Sequence, residues 1–424
     1  MVERPRLGRR LVVDITPVRE SPRFRVLYAA HLLASIGRQV TIVAIPYQVF
    51  ILTNSTLAVG AIGIAQFIPL MAVSLVGGAV ADAFDRRKLL VLCHVLLALS
   101  AVGLVANASL AQPELWPLYA LSAVNAALTG FNNPARMAAI PAVLRREMIA
   151  SGFALNQTMH EVAAALGPAL AGFLIARSGL VFTYWIEAIA FLAAGIILIW
   201  IGPLHPEGGG RAVSFSSIRE GFRYLKDQRL IQSGFLIDLN AMIFGMPRAL
   251  FPAMGTGIFA GDASTVGLLY AAPGFGALLA ALTSGWVSFV SRRGRVVVIA
   301  VAVWGIAITV FGFVNLLPLA LVLLAVAGAA DVVSAVFRNT ILQLVVPDSL
   351  RGRLSAVHTA VVGGGPRLGD LEAGVVASVT SVRFSVVSGG VACVLGALGI
   401  ARFMPELWNY RDETVEPLKG PSDH

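Results

Sequence analysis

Residues 57–81 read LAVGAIGIAQFIPLMAVSLVGGAVA, residues 82–88 read DAFDRRK, and residues 89–110 read LLVLCHVLLALSAVGLVANASL. The two apolar runs, of 25 and 22 residues, are each long enough to cross the hydrocarbon of a bilayer as a helix, which takes about 20 residues. Between them lies a short turn of Asp and Arg that belongs in water. Out, turn and back is a membrane hairpin, and the same alternation continues along the chain. Spans are expected near 24–50, 57–81, 89–110, 115–137, 152–176 and 180–201, then near 230–252, 265–289, 296–314, 317–341, 354–378 and 383–404. Of the 424 residues, 57% are hydrophobic and 13% charged, the latter about half the share found in soluble domains. A water-soluble globule is excluded, and the fold class expected is an all-α polytopic membrane protein with twelve transmembrane helices.

The basic residues give the orientation, because cytoplasmic loops hold an excess of Lys and Arg. With the N-terminus inside, all but five of the 32 Lys and Arg fall in the tails, in the loops after even-numbered spans, or at the helix ends beside those loops. Arg177, Arg248 and Arg383 fall on or near the outer side, and Arg38 and Arg367 fall mid-span. Both termini are therefore expected in the cytoplasm, with the chain in the cell inner membrane. The net charge of +9 is spread over loops rather than gathered on one face, so a nucleic-acid partner is not expected. Cys93 and Cys393 lie in apolar runs and read as small buried hydrophobes rather than a disulfide.

Five regions follow: a tail over 1–23, a first six-helix bundle over 24–201, a linker over 202–229, a second bundle over 230–404, and a tail over 405–424. In the linker, Ile218, Phe222 and Leu225 recur at helical spacing among charged residues, the pattern of an amphipathic helix lying on the membrane face. An offset of 202 residues places Thr129, Asn132 and Arg136 on Asp331, Ser334 and Arg338, and each trio occupies one helical stripe. Two such halves describe a transporter with a central pathway between pseudo-symmetric bundles.

These residues resemble those of a known family. The loop Gly77, Gly78, Ala79, Val80, Ala81, Asp82, Ala83, Phe84, Asp85, Arg86, Arg87, Lys88 is similar to the signature loop of the major facilitator superfamily. Its Asp-Arg-Arg ending resembles the enterobactin-exporter and secretion-permease branch. The likeness continues through Pro134, Ala135 and Arg136, through Gly167, Pro168 and Gly172, and through Arg338, Gln343, Pro347, Asp348, Arg351, Gly352 and Arg353. It departs at Ala83, where the superfamily usually has Arg, and in the absence of an Arg between residues 115 and 130. The resemblance implies a conformational latch built from Gly78, Asp82, Asp85, Arg86 and Arg87, joining the halves when the outer side is open. It also implies a cytoplasmic gate near Arg136, Arg338, Arg351 and Arg353, and export rather than import.

Ionisable residues inside the spans are costly, at about 3 kcal/mol each on insertion scales, and are kept for a purpose. Arg38, Glu161, Glu187, Asp238, Asp331, Arg367, Asp370 and Glu372 lie well inside. Acids outnumber the two arginines, so some are candidates to carry protons: Asp238 and Asp331 first, then Glu161. Arg38 with Gln39, and Arg367 with Asp370, are candidates to line the pathway. Arg367 and Asp370 stand three residues apart and are close enough along a helix to pair. Tyr47, Phe67 and Phe244 are aromatic rings that would sit beside such cations. His160 beside Glu161 is no zinc motif, since no second His follows at the required spacing. No phosphate loop is present, so the energy source expected is an ion gradient and no cofactor is expected.

The reading is a secondary active exporter, monomeric, exchanging protons for a siderophore or similar amphipathic small molecule by alternating access. A multidrug efflux transporter of the same superfamily is the alternative. From other classes, a non-transporting sensor or a lipid-acting membrane enzyme remains, and for the enzyme no nucleophile and base are visible.

Overall fold

In the computed structural model the described residues are 14–205, 225, 228–346 and 348–412. The side chains of 74–79, 81–83, 288, 348–357, 359 and 360 also lie outside the described set, as does most of the linker whose amphipathic helix the sequence suggests.

Polar caps mark where each apolar run leaves the membrane. Helix α1 (Pro22–Thr53) starts with Ser21 Oγ accepting from Phe24 N at 3.2 Å and a proline in its first turn, where the missing N–H has no helical partner to lose. It ends at Asn54 in the left-handed conformation (φ 48°), and Ser55 caps the next helix, α2 (Thr56–Ala83), so the turn between them is two residues long. Helix α3 (Arg86–Ala108) is capped by Asp85, and α4 (Trp116–Val143) follows. The segment Ile149–Ile199 breaks at Gly179, whose φ of 77° and ψ of 172° suit glycine alone. That break yields α5 (149–178) and α6 (180–199).

The second half repeats the plan. Helix α7 (Arg229–Phe244) stops at Gly245, and the chain crosses the remaining thickness in short turns, Arg248–Leu250, Phe251–Ala253 and a π-turn at Met254–Ile258. Irregular backbone at that depth needs internal partners, and Trp304 supplies one by donating Nε1–H to Gly245 O at 2.7 Å. Then come α8 (Ala263–Leu282), α9 (Arg293–Phe311), α10 (Leu317–Val345), α11 (Asp348–Val379) and α12 (Val382–Phe403). Among the described residues, nine helical stretches are long and apolar enough to span, and the longest of them, residues 146–199, contains both α5 and α6. The two spans missing from that set are α4 and α11, the polar ones.

The surface is apolar. Ile68, Leu99, Ile189 and Leu395 are all more than half exposed, a belt suited to lipid, and Trp116 and Trp200 stand at opposite ends of it. Inside, one apolar cluster belongs to the first half alone and is built on Phe24, Leu90, Ile140 and Leu198 near the face that carries the termini. Another fills the second half around Ile237, Phe311 and Phe337. A third lies toward the opposite face and joins the halves, placing Val43, Ile62 and Tyr184 against Ala249, Ala263 and Val266.

Two helix seams reinforce that third cluster, α5 against α8 and α2 against α11. Both use glycine on each side, so that backbones touch. A Cβ on Gly172 would lie 2.7 Å from Gly267 Cα, and one on Gly60 would lie 3.1 Å from Gly374 Cα. Thr56 Oγ1 donates to Gly374 O at 3.2 Å across the second seam. The two seams are related by the pseudo-symmetry, since α2 corresponds to α8 and α5 to α11. Among the described residues the halves thus meet on the face opposite the termini, and the first-half cluster near the terminal face holds residues of that half alone.

Candidate functional site

A cavity of about 410 Å³ lies between the halves. Its wall is polar because α1, α4 and α11 turn their charged and amide stripes inward: Arg38 and Gln39 from α1, Asn132 and Arg136 from α4, Arg367 and Asp370 from α11. The segment after α7 adds Arg248, and α8 adds Tyr270. Among the described residues, four arginines therefore face a single carboxylate, Asp370, together with three histidines, His31, His94 and His160. The charge balance is strongly positive in a setting of low dielectric, where an uncompensated charge is expensive.

Several of these groups are held in fixed states. Arg136 Nη1 donates to His31 Nε2 at 2.9 Å and to Asn156 Oδ1. A guanidinium only donates, so His31 Nε2 accepts and the ring proton sits on Nδ1. His94 Nδ1 donates to Leu90 O at 2.7 Å, which sets its tautomer. Asn125 places both amide atoms in buried positions without a hydrogen-bond partner among the described residues. Behind the wall, Glu187 is fully buried and accepts from Thr41 Oγ1, itself a wall residue.

The sequence-designated pathway residues Arg38, Gln39, Arg367 and Asp370 all line the cavity. Arg367 and Asp370 do not pair, however. Arg367 Nη1 turns back along its own helix to Gly363 O, and Asp370 Oδ1 accepts from Ala249 N at 3.2 Å. The backbone break after α7 presents the competing N–H.

The three acids designated as proton carriers lie off the cavity wall. Asp238 on α7 is fully buried, 2.8 Å from Arg338 Nη2 on α10, and Arg338 also donates to Ser334 Oγ at 3.1 Å. Arg338 and Arg248, which the sequence places at helix ends, both turn inward, and of the six embedded acids only Asp238 forms an ion pair among the described residues. Glu161 on α5 accepts from Gln157 Nε2 and lies within electrostatic reach of Asp331 on α10, across the divide between the halves. Asp331 in turn feels Arg338 and Arg248.

The two polar trios of the internal repeat are not equivalent. Thr129, Asn132 and Arg136 line the cavity, whereas Arg338 is committed to Asp238 and donates to Ser334. Asn125 escaped the sequence reading, which placed Arg248 on the outer side; the signal for Arg248 was Pro247 two residues after Gly245, a break in a span that drops the following side chain into the cavity.

Of the latch residues, the side chains of Gly78 and Asp82 lie outside those described, as do Arg351 and Arg353 of the gate. Asp85 serves its own half. Its Oδ1 caps α3 through Arg87 N at 2.9 Å and receives Leu204 N at 3.2 Å. Arg86 Nη1 reaches Ala138 O at 3.4 Å and Arg87 Nη1 reaches Ile199 O at 3.5 Å, all within the first half.

Asp85 lies at the membrane edge, and its titration has a consequence. Desolvation opposes its ionisation, but the N–H donors of Leu204, Arg87 and Lys88, with His205, outweigh that and hold the carboxyl below its usual 3.8. A carboxyl depressed in the folded state contributes stability above its unfolded value, and the contribution vanishes as pH falls through the folded value. Asp85→Ala is expected to cost about 1 kcal/mol at neutral pH, the usual worth of an N-cap. In thermal melts of detergent-solubilised protein that difference should shrink on acidification below 3.8; a pH-independent difference would assign the effect to packing.

The comparisons agree with this architecture. The family model described as a transmembrane secretion effector matches residues 13–421. The enterobactin exporter EntS of Citrobacter koseri is 28% identical over 415 residues, covering 97% of this chain and 98% of that protein. EntS of Escherichia coli K12 is 28% identical over 405 residues, covering 94% and 96%. Among solved structures, the nucleoside transporter NupG superposes with a TM-score of 0.70 at 13% identity, covering 92% of this chain and all 100% of that one. The D-xylose-proton symporter superposes with a TM-score of 0.69 at 16% identity, covering 91% and 98%. With the match running almost end to end over a duplicated bundle and its central cavity, the chain belongs to the transmembrane secretion effector family of the major facilitator superfamily.

Proposed function

We propose that this transporter exports a small anionic amphipathic molecule of the siderophore kind by alternating access. The observation that carries the reading is the wall of four arginines against one carboxylate, which suits an acidic substrate and repels a cationic drug. The relatives named as enterobactin exporters support export and a siderophore-like cargo. On this reading the terminal face is cytoplasmic and the bundles divide at 24–201 and 230–404. The joined seams then close the outer side, so the conformation is the one that loads from the cell. Asn125, Asn132 and Gln39 would hydrogen-bond the polar body of the cargo, while Arg136 and Arg338 order the gate below.

The driving force is proton exchange, carried by acids that change partner as the halves rock. Glu161 and Asp331 are assigned this role because Glu161 lies in the field of Asp331 across the divide, and Asp238 because the ion pair it forms is breakable by protonation. In inverted membrane vesicles with an acidic interior, siderophore uptake is expected to rise with the imposed pH gradient. Asp331→Asn and Glu161→Gln should abolish the rise while leaving downhill exchange. Flux indifferent to the gradient, in wild type and variants alike, removes proton coupling. A deletion strain that retains siderophore inside the cell supports the cargo; unchanged siderophore with heightened drug sensitivity replaces it with multidrug efflux.

A further inference from the structure

Of the four cavity arginines, Arg136 is engaged by His31 and Asn156, and three remain. Arg38 comes from α1 in the first half, while Arg248 and Arg367 come from the second, and all three line the same space. Arg367 lies in the field of both other arginines and of Asp370. Among the described residues, neither the Arg38 nor the Arg248 side chain makes a hydrogen bond or an ion pair. Arg367 spends one nitrogen on Gly363 O, and its buried Nε has no hydrogen-bond partner. Asp370 is tethered to Ala249 N at 3.2 Å, so it can compensate only part of three charges.

The supports are firm. The Arg248 backbone is pinned by Tyr270, whose hydroxyl donates to Arg248 O at 3.0 Å. Helices α2 and α11 touch at Gly63, where an added Cβ would lie 2.3 Å from Arg367 O. Three cations held by independent elements around one carboxylate, in a space that excludes much of the solvent, are left short of negative charge.

Resting on the reading of this cavity as the substrate path, we propose that Arg38, Arg248 and Arg367 form one acidic-group site bridging the two halves. It takes a ligand with at least two anionic groups, and Asp370 is its internal counter-ion. One acidic group engages Arg248 and Arg367 in the second half, and the other engages Arg38 in the first. Planar oxyanions suit this, since guanidinium forks bind them in pairs of hydrogen bonds. A monoacid satisfies one half only and leaves the opposite cation unmet. The ligand thereby relieves repulsion between the halves, and its second acidic group is the specificity determinant.

The test uses the full chain in lipid nanodiscs with benzene-1,3,5-tricarboxylate and its mono-, di- and trimethyl esters, which vary charge on one ring. Calorimetry is expected to show the diacid binding about tenfold tighter than the monoacid, with the neutral triester weakest. Arg248→Gln and Arg38→Gln should each erase most of that tenfold preference while changing monoacid affinity far less, and Asp370→Asn should tighten the diacid. Melting curves of each variant screen for misfolding, and Arg248→Lys, which keeps the charge, should recover part of the preference. Equal affinity across the series, no binding at millimolar concentration, or a diacid preference unmoved in both glutamine variants overturns the proposal. Vesicles that fail to move siderophore while the diacid preference persists remove the transport reading and leave this site standing.

Discussion

Arg338→Ala is expected to destabilise the second half by about 3–5 kcal/mol, the usual result of stripping a buried charge of its partner. Asp238 is fully buried, with Arg338 Nη2 2.8 Å away, and Arg338 is itself only 8% exposed. No other cation forms an ion pair with Asp238 among the described residues. Urea or thermal unfolding in mild detergent measures the loss. The double variant Asp238→Leu with Arg338→Met should recover most of it, because removing both charges leaves neither to desolvate. A double variant as unstable as the single one would show that the pair contributes through shape rather than charge. Transport reports separately: if Asp238 carries the exchanged proton, the stable double variant folds but loses its response to a pH gradient.

Gly267→Val is expected to have the largest effect on transport. An added Cβ there would lie 2.5 Å from Pro168 O and 2.8 Å from Gly172 Cα, both backbone atoms that cannot rotate aside. Overpacking of this kind costs about 1–3 kcal/mol, and the cost falls only on the conformation in which α5 and α8 touch. Three kcal/mol is about a 150-fold shift in population. Transport should drop by at least tenfold while the fold survives. The shift is read with Thr41→Cys in the cavity wall and a membrane-impermeant thiol reagent applied on the face opposite the termini. The native Cys93 and Cys393 are 2% and 0% exposed and stay silent. Labelling should accelerate in the Gly267→Val background. Unchanged labelling would mean that the seam does not hold the cavity shut.

The spans were legible because lipid imposes one rule on every residue it touches, and 57% hydrophobic content leaves little choice of architecture. The cavity-lining stripe of α1 was legible for the same reason: Arg38 and Gln39 have nowhere to go but inward. Pairing was not. Helical spacing says that Arg367 and Asp370 share a face, but the choice between an ion pair and separate backbone partners depends on Gly363 O and Ala249 N, which belong to tertiary structure. Arg338 carried a correct repeat position and a hidden partner, because Asp238 is a hundred residues away on a helix whose rotation no pattern specifies. Arg248 counted as a loop residue until the broken end of α7 folded it inward. The sequence counted two arginines within the membrane, and Arg248 and Arg338 join them.

The unequal placing of the three apolar clusters bears on how the molecule is made. The first half owns a complete cluster, so it can pack in the bilayer while the ribosome is still making the rest, as domains emerging first generally do. The cluster at the opposite face has no such independence, for Ala249, Ala263 and Val266 are late arrivals. Until they are synthesised, Val43, Ile62 and the glycines of α2 and α5 present an unfinished surface to lipid. Biogenesis therefore contains a waiting period between two insertions, and a nascent chain stalled near residue 230 is the species that quality-control proteases should recognise.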